Sequence, residues 1–293
     1  MSARFGYGTN GFGSHRLDDA LDVIAGLGYA GVALTLDHHH LDPYAPGLPR
    51  RVAALGTRLA RLGLGVVIET GARYLLDPWR KHAPTLLDDD PAPRLDLLRR
   101  AVHIGADLGA EAVSCWSGVR PRALSTAAAW DRLLKGCDQV AAEAAAAGMR
   151  LGFEPEPGML VRTIDDWFAL RDRLGAPGSL GLTLDIGHCQ CVEPDPPARC
   201  VARAGPHLVN VQLDDMRRGV HEHLELGTGE VDFPAVLHAL NAAGYGGLVA
   251  VELPRHGHAA PVVARETLAF LHAAEAKANA KANAQAKAKE ASR

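Results

Sequence analysis

Residues 181–188 read Gly-Leu-Thr-Leu-Asp-Ile-Gly-His. Leu182 and Leu184 alternate with Thr183 and Asp185, the period of a strand with one apolar and one polar face, and Gly187 ends the run. A carboxylate and an imidazole therefore stand together where a strand stops. Residues 150–154 (RLGFE), 208–212 (LVNVQ) and 248–252 (LVAVE) repeat the design, each closing on a side chain that carries an oxygen. By parity, Leu151 and Phe153, Leu182 and Leu184, Val209 and Val211, and Val249 and Val251 share one face of their strands. Glu154, Asp185, Gln212 and Glu252 lie on the other. Parallel strands of a closed barrel, with apolar faces turned to outer helices, aim these four groups at one point on the axis. Three carboxylates brought that close repel one another severely unless a cation or shared protons neutralise them. The pattern reads as a metal site.

The remaining chain supplies the other units of an α/β (β/α)8 TIM barrel. Strands are expected at 4–8, 31–37, 64–69 and 112–116, and helices at about 17–27, 49–62, 93–108 and 127–147, with Ser14 as a helix cap and Gly28 as a stop. Helices at about 164–174, 197–204, 232–243 and 261–273 complete eight β/α units with short connections. Residues 1–273 form the barrel in this reading. Residues 274–293 alternate Ala with Lys, Asn and Gln, which predicts a frayed helical or disordered tail. The stretch 71–91 is long for a connection and contains Arg73, Trp79, Arg80, Lys81 and His82, as a lid or binding loop would.

A length of 293 residues suits one such barrel, and 47% hydrophobic with 22% charged residues is an ordinary globular balance. Net charge is −3, from 31 basic and 34 acidic residues, so the global basic field that nucleic-acid partners require is absent. No apolar run reaches the roughly 18 residues of a membrane span, and the opening MSARFGYGTNGFG lacks an apolar signal core. Cytoplasmic location is the expectation. Five cysteines (115, 137, 189, 191 and 200) are odd in number and have no framework spacing, which suits free thiols. There is no Walker loop, no dinucleotide fingerprint and no G-x-S-x-G elbow, so no organic cofactor is expected.

In a barrel of this kind, side chains at the C-terminal ends of strands build the site. Glu154, Asp185, Gln212 and Glu252 are a hard oxygen set that suits Mn²⁺ or Mg²⁺, with Zn²⁺ or Co²⁺ also admissible. Glu156 shares the parity of Glu154 and is the competing ligand. His188, three residues past Asp185, reads as a substrate contact or a loop histidine, Glu69 as a substrate contact or a partner for Arg73, and Trp116 at its strand end as a substrate contact, while His38 after strand two and Arg217 after strand seven either line the mouth or lie on the surface. His221-Glu222-His223 does not match the helical zinc motif H-E-x-x-H.

Glu154 in GFEPEPG, Asp185 and His188 in LTLDIGH, Gln212 in HLVNVQLDDMRRG, the segment LGTGEVDFPAVLHAL and Glu252 in VAVELPRH together resemble the xylose isomerase-like superfamily of sugar phosphate isomerases and epimerases. The resemblance covers about residues 5–273. It implies that the residues matching Glu154 and Glu252 serve both as ligands and as the acid/base pair, and that those matching His188 and Arg217 hold substrate oxygens. Ketose 3-epimerases have His at the third ligand position, whereas hydroxypyruvate isomerase-like members have Glu, Asp, Gln and Glu, as here. The second glutamate of the epimerases, six residues past the first, is replaced by Leu160. The implied activity is isomerisation or epimerisation of a small polyhydroxy carbonyl compound (a sugar, sugar phosphate or keto-polyol) through a metal-stabilised enediolate. The alternatives are a keto-polyol dehydratase and a non-catalytic metabolite-binding or trafficking protein. Expected partners are a small polyol or sugar and further copies of the chain as a homodimer or homotetramer, with neither nucleic acid nor membrane.

Overall fold

The computed structural model describes residues 2–71 and 73–291, with side chains through residue 282. Apolar residues at alternate strand positions face outward and are covered by helices. β1 (Arg4–Gly8), β2 (Gly31–Thr35), β3 (Gly65–Glu69), β4 (Val113–Trp116), β5 (Leu151–Glu154), β6 (Leu180–Asp185) and β7 (Leu208–Leu213) follow in order around a ring. A hairpin of β8 (Asp215–Arg217) and β9 (Val220–Leu224) interrupts the series. β10 (Leu248–Val251) then pairs in parallel with both β7 and β1 and closes the eight-stranded barrel.

The outer layer is α1 (Leu17–Leu27), α2 (Leu48–Leu62), α3 (Ala92–Leu108), α4 (Thr126–Ala146), α5 (Ile164–Arg173), α6 (Ile186–Val192), α7 (Pro197–Ala204), α8 (Phe233–Ala242) and α9 (Ala260–Ala291). Their starts follow local chemistry. Ser125 caps α4, and Thr163 with Asp166 forms a capping box on α5. Ser14 does not cap α1, because the 3₁₀ turn Thr9–Phe12 and the bend after it occupy that stretch and the helix begins at Leu17.

Two expectations about packing change. Val209 does not share the outer face of Val211. The β6–β7 register shifts between Leu182, paired with Leu208, and Thr183, paired with Asn210, and this bulge turns Val209 inward. Its methyls fill the space that two inward glycines leave: a Cβ on Gly181 would lie 2.3 Å from Val209 Cγ1, and one on Gly152 would lie 3.2 Å from Cγ2. The second change concerns the C-terminal stretch. Residues 274–291 continue α9, with Ala274 and Ala278 each 4% exposed against the core, while residues 292–293 lie outside the described residues. Glu275 also accepts a hydrogen bond from Ala3 N at 2.6 Å, so the first turn past residue 273 ties down β1. Small alanines allow this approach where a bulkier tail would not.

The bulge gives a stability test. Gly181→Ala overpacks Val209 and should cost about 1–3 kcal/mol in urea denaturation. Adding Val209→Ala should recover part of that loss, a coupling measured by a double-mutant cycle; strictly additive effects would show that the two side chains do not compete for this space.

Candidate active site

The four inward groups end neighbouring strands. Asp185 and Gln212 face each other across β6 and β7, with Glu154 on β5 to one side and Glu252, just past β10, to the other. Asp185 has two tasks. Its Oδ1 accepts the backbone N–H of His188 at 2.7 Å and so starts α6, while Oδ2 has no hydrogen-bond partner. Gln212 Oε1 is also without a partner. These residues are only 1% and 3% exposed, so two buried oxygens stand uncompensated side by side. Glu252 Oε1 accepts from Asn10 Nδ2 at 2.8 Å, and Glu154 Oε1 lies 3.3 Å from His188 Nδ1.

Burial, followed by mutual repulsion, pushes Glu154 well above the usual carboxylate range and Glu69 and Glu156 up to about 8, with the charge of Glu252 the main neighbour in each case. Asp185 and Glu252 are raised by burial and partly relieved by His223. An arriving cation would reverse these penalties. Among the described residues, three clusters have ligand atoms within 4.8 Å of one another: Glu154, Asp185 and His188; Asp185, His223 and Glu252; and His188, His221 and His223. Asp185 joins the first two. Burial, then neighbouring imidazoles, lowers His188 to about 3 and His221 to about 4, which leaves their nitrogens free of charge and 3.1 Å apart at Nε2. His223 is different. Burial opposes its charge, but contact with the buried Asp214 carboxylate raises it to about 10.

A cavity of about 300 Å³ opens onto these groups. Glu154, Gln212, Glu252, His188, Glu69 and Trp116 all line it, as do Asn10, Glu156, His221 and His223. His38 and Arg217 do not. The His38 ring is exposed and 3.5 Å from Asp42, and Arg217 is turned outward, donating to Thr228 O at 3.2 Å. The hairpin explains the second displacement: its tip carries Arg217 away, and its return strand brings His221 and His223 back over the cavity. Their two-residue spacing is the signal that a strand reading would have caught, since residues i and i+2 share a face. A roomier groove of about 510 Å³ between α1 and α2 contains none of the clustered carboxylates. The chemistry belongs to the smaller cavity.

Residues 21–274 match the family described as xylose isomerase-like TIM barrel. The chain belongs to that family. Proteins named as sugar epimerases and isomerases are among its relatives. An L-ribulose 3-epimerase of Mesorhizobium japonicum is 29% identical over 201 residues, 66% of this chain and 63% of that protein. A 2-oxo-tetronate isomerase of Cupriavidus necator is 28% identical over 167 residues, 55% of this chain and 62% of that protein. The matched stretches thus span less than two thirds of either relative. A solved L-ribulose 3-epimerase structure superposes with a TM-score of 0.77 at 22% identity, covering 96% of this chain and 97% of that one, and shows the shared fold.

The loop between β3 and α3 caps one side of the cavity of this family member. Its anchor is Arg94, 3% exposed, which donates to three loop carbonyls: Thr70 O at 3.0 Å, His82 O at 2.8 Å and Pro84 O at 2.9 Å. The guanidinium also lies 4.7 Å from the Trp116 ring, against whose edge His82 packs. His82 Nδ1 meets Gly71 O at 2.6 Å, and burial lowers this imidazole to about 4. Arg94→Met removes the donors and should cost about 2–4 kcal/mol, with faster proteolytic cleavage within residues 73–84. Arg94→Lys should recover little, because one ammonium cannot reproduce the fork. Unchanged cleavage in Arg94→Met would show that the loop is held by other contacts.

Proposed function

We propose that the chain is a divalent-metal-dependent isomerase or epimerase of a small polyhydroxy carbonyl compound. The observation that carries this reading is the pair of buried oxygens without partners, Asp185 Oδ2 and Gln212 Oε1, flanked by two glutamates whose burial and mutual repulsion a cation would relieve. Glu154, Asp185, Gln212 and Glu252 fit Mn²⁺ or Mg²⁺, and the adjacent imidazoles widen the choice toward Zn²⁺ or Co²⁺. When bound, such an ion supplies polarisation of a carbonyl and its neighbouring hydroxyl, which makes the α-proton more acidic.

The protein's own groups then do the proton work. Glu252 has the environment better suited to a resting carboxylate, since Asn10 donates to it and the charge of His223 favours its ionised form. Glu154 lies among carboxylates beside a neutral imidazole and is suited to hold a proton. One takes the α-proton and the other returns it, from the opposite side in epimerisation or to the adjacent carbon in aldose–ketose exchange. The neutral His188 and His221 can donate to substrate oxygens without adding charge. Chain relatives named as sugar epimerases and isomerases support the class of reaction.

Two measurements test the reading. Asp185→Asn and Glu252→Gln should each weaken Mn²⁺ binding at least about tenfold in calorimetry while circular dichroism still reports a folded barrel. In D₂O, the Mn²⁺-loaded parent should exchange an α-proton of at least one carbonyl compound from a panel of ketoses and keto acids, and chelation should stop it. Unchanged affinity in both variants would remove the metal. Metal binding without any exchange would instead favour a metabolite-binding protein on the same barrel.

A further inference from the structure

The cavity has two chemically opposed ends. Carboxylic groups lie at its floor, whereas Arg73, Lys81 and Arg255 line its rim. Arg255 is engaged with Glu222 at 2.8 Å. Arg73 and Lys81 make no ion pair or side-chain hydrogen bond with any described residue. This is not for lack of acids on their loop. Asp77 and Asp88 are both used by Arg80, at 2.7 and 3.6 Å, Asp89 binds Arg132 at 2.7 Å, and Asp90 accepts Ala92 N at 3.0 Å. The loop thus pairs the arginine that does not line the cavity and leaves Arg73 and Lys81 over it without an ion pair, Lys81 acting on Glu156 only through its charge.

The backbone beneath these exposed side chains is fastened. His82 N donates to Arg73 O at 2.6 Å, joining the two segments that carry Arg73 and Lys81, and Arg94 fastens the same turn from beneath through His82 O. Lys and Arg chains on a mobile strand would lose more entropy on engaging a ligand than chains on a fastened one. We propose that the substrate carries an oxyanion, a carboxylate or a phosphate ester, at the end remote from its reacting carbonyl, and that Arg73 and Lys81 hold it. The proposal rests on the isomerase reading for the substrate's orientation: the anionic end is repelled by the acidic floor and drawn to the rim, which leaves the carbonyl end among Glu154, Asp185, Gln212 and Glu252. Charge segregation within one small cavity therefore selects a single direction of entry.

The test compares a neutral ketopentose, its 5-phosphate and the matching keto-sugar acid by α-proton exchange in D₂O, in the parent and in Lys81→Met, Arg73→Gln and the control Arg80→Met. At least one anionic member should exceed the neutral one by about ten- to a hundredfold in kcat/KM, and which member does so separates phosphate from carboxylate. Lys81→Met and Arg73→Gln should each remove most of that ratio through KM, and Arg80→Met should keep it. A parent that handles the neutral sugar as well as both anions, or a ratio that survives in both cavity variants, overturns the proposal. Binding of inorganic phosphate and of glycolate, measured by calorimetry, separates this outcome from failure of the isomerase reading. Should no compound exchange, anion binding that Lys81→Met weakens still supports the subsite, whereas no binding of either probe to the parent overturns it.

Discussion

Repulsion among buried carboxylates at the barrel axis is the constraint around which the rest of this structure is arranged. Glu69, Glu154, Asp185 and Asp214 are buried, and Glu156 and Glu252 stand beside them in the same mouth. At an effective dielectric constant of about 20, two such charges 4 Å apart repel by roughly 4 kcal/mol, a large fraction of a domain's net stability. The fold answers most of them locally. Asn210 reaches Glu69 at 3.1 Å, Asn10 reaches Glu252 at 2.8 Å, His223 contacts Asp214, and the first turn of α6 occupies one oxygen of Asp185. Asp185 Oδ2 and Gln212 Oε1 are left without a hydrogen-bond partner, as are Thr183 Oγ1 and Asn210 Oδ1 on the same two strands. A cation at the strand ends would answer the first two directly.

The opposite end of the barrel shows the contrast. There Glu111 binds Arg4 at 2.8 Å and accepts Leu248 N at 3.0 Å, linking β1, β10 and the turn before β4, while Glu275 of α9 holds Ala3. Each acid there has a donor within reach. Ala33, Val67, Leu248 and Ala250 form a buried apolar cluster between the two ends. The acids named at that end are paired and lie apart from the site, and a change at the floor of the site need not unfold the barrel.

Parity along the strands made the ring and its inward acids legible in the sequence, because a period of two leaves only two faces to choose between. It failed where the period breaks. The bulge beside Thr183 turns Val209 inward, and no residue pattern in LVNVQ announces it, since the cause is space left by glycines on β5 and β6. His221 and His223 escaped because they were compared with a helical spacing while sitting on a strand of a hairpin. His38 and Arg217 follow strands as expected, yet position after a strand does not determine direction: a tight loop turns one to solvent and the hairpin carries away the other. Arg94 was the least legible of all. A buried arginine whose partners are three loop carbonyls is defined only once the loop has closed.

The two glutamates that flank the orphaned oxygens have the same residue type, yet Glu154 is buried and Glu252 half-buried, and their neighbours differ as well. Glu252 receives an amide N–H and lies near the only imidazole of the site that burial fails to neutralise. Glu154 receives no such help, because the His188 ring beside it is kept neutral and every other titratable group acting on it is an acid. Environments that push like groups apart are how one site comes to hold an acid and a base at the same pH. His223, in contact with Asp214, favours the ionised form of Glu252 and does not act in the same way on Glu154, while burial and then the charge of Asp185 push Asp214 itself well above the usual carboxylate range.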